Sequence, residues 1–250
     1  MRIPRAFFDG TASPGDVLEL SAREAIHIVR VLRRRVGDRV VLVSHSGDIF
    51  DAEIIEAVEG PPLVVKVRVA RRADADLPPI LPWTLGLALV KSDAFELALR
   101  MASELGMLRV TALITCRSIV RPREGLQGFE KKAERWRSIA EDAAKQCGRG
   151  APLEIAGPLT FDSFVRDSVC AKRWIAIPSG PVRLSEIVGA GSELPESEFL
   201  LGPEGGFTPR EVARAREAAF EPLGLPTPVL RTPTAVALIA ALGVLGQGRF

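Results

Sequence analysis

Two short stretches in the last fifth of the chain carry the residue types and spacing best suited to chemistry. Gly202-Pro203-Glu204-Gly205-Gly206 sets three glycines around one carboxylate, between the apolar run Phe199-Leu200-Leu201 and a helix expected to begin near Thr208. Val229-Leu230-Arg231-Thr232-Pro233-Thr234 follows further along and holds a single arginine. Glycine lets backbone N–H groups approach a ligand closely, and open α/β sheets hold ligands at the carboxyl ends of their strands. The loop is not a P-loop, since no Lys-Ser/Thr pair follows the glycines, and it is not Gly-x-Gly-x-x-Gly. Glu204 would repel a phosphate, so a cationic or neutral ligand suits the loop better. Taken alone, Gly205-Gly206 reads first as a plain tight turn before a helix.

Other reactive side chains exclude more than they suggest. Cys116, Cys147 and Cys170 are too widely spaced for a metal knuckle and odd in number, which reads as reduced thiols. His27 and His45 show no ligand spacing, so no protein-held metal is expected. A net charge of +2 does not announce nucleic-acid binding, which must rest on local clusters. Arg30, Arg33, Arg34 and Arg35 form one, near the end of an expected helix. It reads either as a solvated cluster that suits the helix dipole or as a phosphate contact. Tyrosine is absent, leaving Phe7, Phe8, Phe50 and Trp136 as stacking candidates.

The elements that must position these residues fall into two patterns. Up to residue 72 the chain reads as short β-strands at Val17–Leu20, Arg39–Val43, Ile49–Ile55 and Leu63–Val69, punctuated by Gly, Pro and Asp turns, as in a small barrel. One helix interrupts them, with Ser21 as N-cap, Glu24 as its capping-box partner, and Ile26, Val29 and Leu32 along one face. Arg71 to Pro82 mixes charge with prolines and predicts an irregular linker, giving domains at 1–72 and 83–250 joined by 73–82. Beyond it, strand-like Thr84–Val90, a helix over Ala94–Leu105, strand-like Val110–Thr115 and a helix over Glu130–Gln146 alternate. With the apolar runs at Arg173–Ile177 and Phe199–Leu201, they predict an α/β doubly wound parallel sheet. The longest apolar run, Ala235–Leu245, is too short to span a bilayer, and Met-Arg-Ile-Pro-Arg offers no signal core, so a cytoplasmic address is expected.

Leu201-Gly202-Pro203-Glu204-Gly205-Gly206-Phe207, together with Val229-Leu230-Arg231-Thr232 and Thr234-Ala235, resembles the C-terminal signature of the ribosomal RNA small subunit methyltransferase E family. Met1–Arg5, His27–Arg33, Phe50–Ile54, Glu104–Gly106, Arg135-Trp136 and Gln146–Arg149 are similar to that family in order, so the resemblance spans nearly the full length. It implies a PUA-like N-terminal β-barrel and a SPOUT-type parallel sheet with a trefoil knot. It further implies a homodimer that uses S-adenosylmethionine to methylate N3 of a uridine in 16S ribosomal RNA of the small subunit, with neither DNA nor a membrane as partner.

By the same resemblance, Ile177, Pro178, Leu201, Gly202, Gly205, Gly206, Val229, Leu230 and Thr232 would hold the cofactor. A side chain at Gly205 would then fill cofactor space. Arg231 would stabilise the deprotonated base, and Glu204 would attract the sulfonium or, less directly, act as base. Arg30, Arg33, Arg34, Lys91, Arg117, Arg121 and Arg149 would contact the RNA backbone. Pro226, Pro228 and Pro233 depart from the family pattern and predict a stiffer second loop. They motivate an alternative, a non-catalytic RNA-binding relative.

Overall fold

The computed structural model describes residues 3–44, 47–73, 80–118, 129–178, 180–187, 194–225 and 229–247. The chain divides into two compact units, 1–78 with 145–152, and 79–144 with 153–250. Residues 145–152 thus join the first unit, whereas a linear reading places them in the second domain.

In the first unit, β1 (Arg5–Phe8), β2 (Val17–Glu19), β3 (Arg39–Ser44), β4 (Ile49–Val58) and β5 (Val64–Arg72) form a mixed half-barrel sheet in the order β1-β3-β4-β5-β2. β3, β4 and β5 run antiparallel as the turn residues require, while β1 adds parallel to β3. Period-two alternation turns Val65, Val67 and Val69 of β5 into the core and leaves Arg68 exposed.

Helix α1 (Ala22–Ile26) starts where Ser21 Oγ accepts the Glu24 N–H at 3.3 Å. Glu24 does not close a reciprocal capping box; its buried carboxylate is ion-paired with Lys145. A π turn over His27–Val31 continues α1, closed by the Leu32 N–H on the His27 carbonyl at 2.9 Å. A π turn takes in an extra residue, so a face read at 3.6 residues per turn loses its aim. Ala25 and Ile28 are buried, while Ile26 and Leu32 of the predicted face are 43% and 39% exposed. Arg33, Arg34 and Arg35 lie past the helix end, Arg33 at φ +54°.

The second unit contains β6 (Leu81–Ala88), α2 (Ser92–Glu104), β7 (Met107–Ile114), α3 (Glu130–Cys147, its last turn in the first unit), β8 (Glu154–Thr160), α4 (Phe161–Asp167) and β9 (Lys172–Ala176). It continues with β10 (Val182–Arg183), α5 (Leu184–Ile187), β11 (Ser197–Leu201), α6 (Pro209–Glu217), β12 (Glu221–Gly224) and α7 (Thr232–Gly246). Its seven strands are all parallel, in the order β10-β12-β9-β11-β6-β7-β8. The predicted linker is shorter than expected, since Arg71 and Arg72 end β5 and Leu81 and Pro82 begin β6; residues 74–79 lie outside the described ones. Pro82 has no N–H for a ladder, and the β6–β7 register jumps between Leu81 and Thr84 to accommodate it.

Helices cover both faces, which is why the central strands are near-continuous apolar runs. Phe199 and Leu201 of β11 pack with Trp83, α2 and α7, whereas Leu200 between them points to the cluster of Phe164, Phe207 and Phe220. β9 and β10 follow each other in the chain, yet β12 lies between them in the sheet. The connection from β9 to β10 must therefore cross the end of β12, and the Ile177 N–H bonds the Leu223 carbonyl at 2.9 Å. At the crossing a Cβ on Gly180 would sit 2.2 Å from the Leu223 carbonyl carbon, so only glycine fits. Among the described residues no helix is long and apolar enough to cross a membrane, and no cluster of side chains could hold a metal ion.

Candidate active site

β12, β9 and β11 are neighbours, and their carboxyl ends open together. From β11 the chain enters a turn closed by the Gly206 N–H on the Pro203 carbonyl at 2.8 Å, with Glu204 and Gly205 exposed at its tip. Gly206 adopts φ +66°, a left-handed conformation that costs glycine least. The turn hands over to α6 through a full capping box between Thr208 and Glu211, with Pro209 in the first turn. After β12 come Leu225 and then Val229 and Leu230, before Arg231 caps α7.

These loops and strand ends enclose a cavity of about 700 Å³. Its wall includes every residue the sequence assigned to the cofactor: Ile177, Pro178, Leu201, Gly202, Gly205, Gly206, Val229, Leu230 and Thr232. Glu204 lines it too. Arg231 does not: it is exposed at the start of α7, between two lining residues. The sequence reading missed Arg216, which lines the cavity with Pro209, Val212 and Ala213. That i, i+3, i+4, i+7 spacing on α6 was the available signal.

Arg117, assigned to RNA, is part of this wall, and its Nη1 donates to the Gly205 carbonyl at 2.6 Å. A Cβ on Gly205 would meet the Arg117 methylenes at 3.4 and 3.7 Å, which is ordinary van der Waals contact. Arg30, Arg33 and Lys91 are exposed and Arg34 is half-buried. Arg149 is only 6% exposed, and burial pushes its guanidinium pKa down, so it is no open phosphate contact. Arg121, Pro226 and Pro228 lie outside the described residues. Phe7, Phe8, Phe50 and Trp136 are all core side chains and form no stacking platform. Pro233 is buried in the first turn of α7, where a missing N–H costs nothing.

An RNA methyltransferase domain family matches residues 78–245, and an RNA methyltransferase PUA domain family matches residues 20–67. A Synechocystis protein named ribosomal RNA small subunit methyltransferase E is 31% identical over 231 residues, which cover 89% of this chain and 72% of the relative. The chain belongs to the ribosomal RNA small subunit methyltransferase E family. A methyltransferase E of Mycobacterium bovis is 30% identical over 246 residues, 96% of this chain and 90% of the relative. A Legionella pneumophila methyltransferase solved with bound S-adenosylmethionine superposes with a TM-score of 0.85 at 30% identity, over 99% of this chain and 98% of that one. The methyltransferase E of Neisseria gonorrhoeae, solved with S-adenosylmethionine, shares the fold with a TM-score of 0.84 at 24% identity over 98% of both chains.

Proposed function

We propose that this chain transfers a methyl group from S-adenosylmethionine to N3 of a uridine in 16S ribosomal RNA of the small ribosomal subunit. The cavity at the ends of β9, β11 and β12, walled by both loops, carries this reading. Its residues fit the cofactor: Ile177, Leu201, Leu225 and Leu230 offer apolar walls for a purine, and the glycines admit close backbone approach. Among the described residues no acceptor takes the Gly205 or Phe207 N–H, which leaves both for a ligand. Glu204 brings a negative charge suited to a sulfonium. When bound, S-adenosylmethionine supplies an electrophilic methyl group.

The chain's own residues must then prepare the base. Uridine N3 carries a proton that has to leave, and the anionic ring has to be stabilised. Arg231, exposed beside the cavity at the positive end of α7, supplies that stabilisation with the helix dipole. Glu204, exposed at the loop tip, is the one carboxylate in the cavity wall among the described residues, available to accept a hydrogen bond or to serve as base. Pairing hides N3, so the uridine enters unpaired or flipped. Exposed Arg30, Arg33 and Lys91 hold RNA phosphates. A homodimer is favoured by α7, whose Leu238, Leu242 and Leu245 leave apolar surface uncovered, and a knotted thread by the loop crossing at Gly180. Within this reading residues 1–72 are the PUA-like RNA-binding domain, 83–250 the SPOUT catalytic domain, and the cytoplasm the site of action.

Incubation with labelled S-adenosylmethionine and small subunits lacking the modification should label 16S RNA at one uridine. Tight RNA binding without any transfer would favour the non-catalytic alternative and overturn the proposal.

A further inference from the structure

The glycine loop is held from outside itself. β7 ends in a turn, 115–118, whose shape is fixed by buried hydroxyls: the Thr115 N–H donates to Ser118 Oγ at 3.2 Å, and the two hydroxyl oxygens lie 2.9 Å apart. Two residues of that turn reach the loop. The Cys116 N–H donates to Glu211 Oε1 at 2.8 Å, and Arg117 Nη1 donates to the carbonyls of Gly205 at 2.6 Å and Phe207 at 3.5 Å. The second oxygen of Glu211 takes the Thr208 N–H at 2.7 Å and its hydroxyl at 2.9 Å. One carboxylate therefore ties the start of α6 to a turn on a strand two places away in the sheet.

Glycines at 202, 205 and 206 give the loop more backbone conformations to lose on binding than side-chain-bearing residues would. Fixing it beforehand removes that cost from the ligand. On the reading that this cavity holds S-adenosylmethionine, we infer that Arg117 and Glu211 are positioning residues which latch the glycine loop in its cofactor-binding shape. Arg117 serves the loop with its guanidinium and with the methylenes against Gly205, and is not an RNA-phosphate contact. Glu211 serves it through Cys116, beyond its part in the helix cap.

Arg117→Ala is the cleaner variant, because the side chain is exposed and caps no helix. Calorimetry with S-adenosylmethionine should show about tenfold or greater loss of affinity, the scale of one charge-assisted hydrogen bond, with the melting temperature near that of the wild type. In the methylation assay KM for S-adenosylmethionine should rise by a larger factor than kcat falls. Arg117→Lys, which can still donate to one carbonyl, should recover part of the affinity. Glu211→Gln should weaken binding as well, and the double variant should lose less than the two single losses combined, since both act on one loop. Wild-type protein that binds no S-adenosylmethionine would sink the proposed function itself. Wild-type binding with Arg117→Ala unchanged, or with RNA affinity lost in place of cofactor affinity, would overturn the latch alone.

Discussion

Replacing Gly180 with alanine probes the place where the chain crosses itself beside the cavity. A Cβ built there lies 2.2 Å from the Leu223 carbonyl carbon, 2.3 Å from the Gly224 nitrogen and 2.6 Å from the Leu223 oxygen. Ordinary contacts of this kind are about 3.5 Å, so two backbone segments must part by about 1 Å. Overpacking costs about 1–3 kcal/mol when neighbours can adjust. Here the neighbour is the main chain of β12, held on one side by β9 and on the other by β10. The loss should therefore reach about 3 kcal/mol or more, or about 6–12 °C in Tm for a chain of this size. Gly86→Ala is the comparison, because its Cβ would meet side-chain atoms alone, the Phe164 ring at 2.8 Å and the Leu113 methyl at 2.9 Å, which are not tied into a β-ladder. Thermal unfolding followed by circular dichroism, with a parallel S-adenosylmethionine titration, reads both effects. Ile177 and Pro178 line the cavity just before the crossing, so affinity should fall with stability in Gly180→Ala alone. A Gly180→Ala protein melting within about 2 °C of wild type, or losing less than Gly86→Ala, would refute the backbone-contact argument.

Three further outcomes follow from the same geometry. Burial raises the Glu198 carboxyl above its ordinary range, against hydrogen bonds from Ser168 and Thr84. Its protonated form is favoured on folding, so its contribution is fullest in acid and is lost as pH rises through the folded-state pKa. Glu198→Gln should thus gain stability over wild type as pH rises towards neutrality, and parallel urea-unfolding curves at acid and neutral pH would count against it. Arg33→Gly removes a left-handed non-glycine residue and should raise stability by up to about 1 kcal/mol while weakening RNA binding; a loss of stability would show that φ +54° is no strain. Arg30→Ala should lower the slope of log affinity against log salt for RNA by about one, and an unchanged slope would remove exposed Arg30 from the phosphate contacts.

The loops and helix starts around the cavity were legible in the local sequence, while the cofactor assignments placed on them came from the family resemblance. Gly202 to Gly206 break a strand, Thr208 and Glu211 start a helix, and Pro233 suits a first helical turn, all of which short-range sterics dictate. The reading of α1 failed for a reason equally physical. Its apolar positions predict a regular period, but the π turn at His27–Val31 shifts the phase, and Glu24 answers to Lys145, far away in sequence, before it answers to its own N-cap. The burial of Arg149 and the bond from Arg117 to the loop were not legible either, since a charged side chain carries no local sign of whether it will be buried, bonded to a loop or left to solvent.

By itself the sequence determined the alternation of strands and helices and the places of the loops, set by periodicity and turn chemistry within a few residues. Only the tertiary structure decided that β12 inserts between β9 and β10, that Gly180 must ride over its end, and that a turn after β7 grips the glycine loop. Those facts depend on strand order and on contacts between distant segments, which local propensity does not encode.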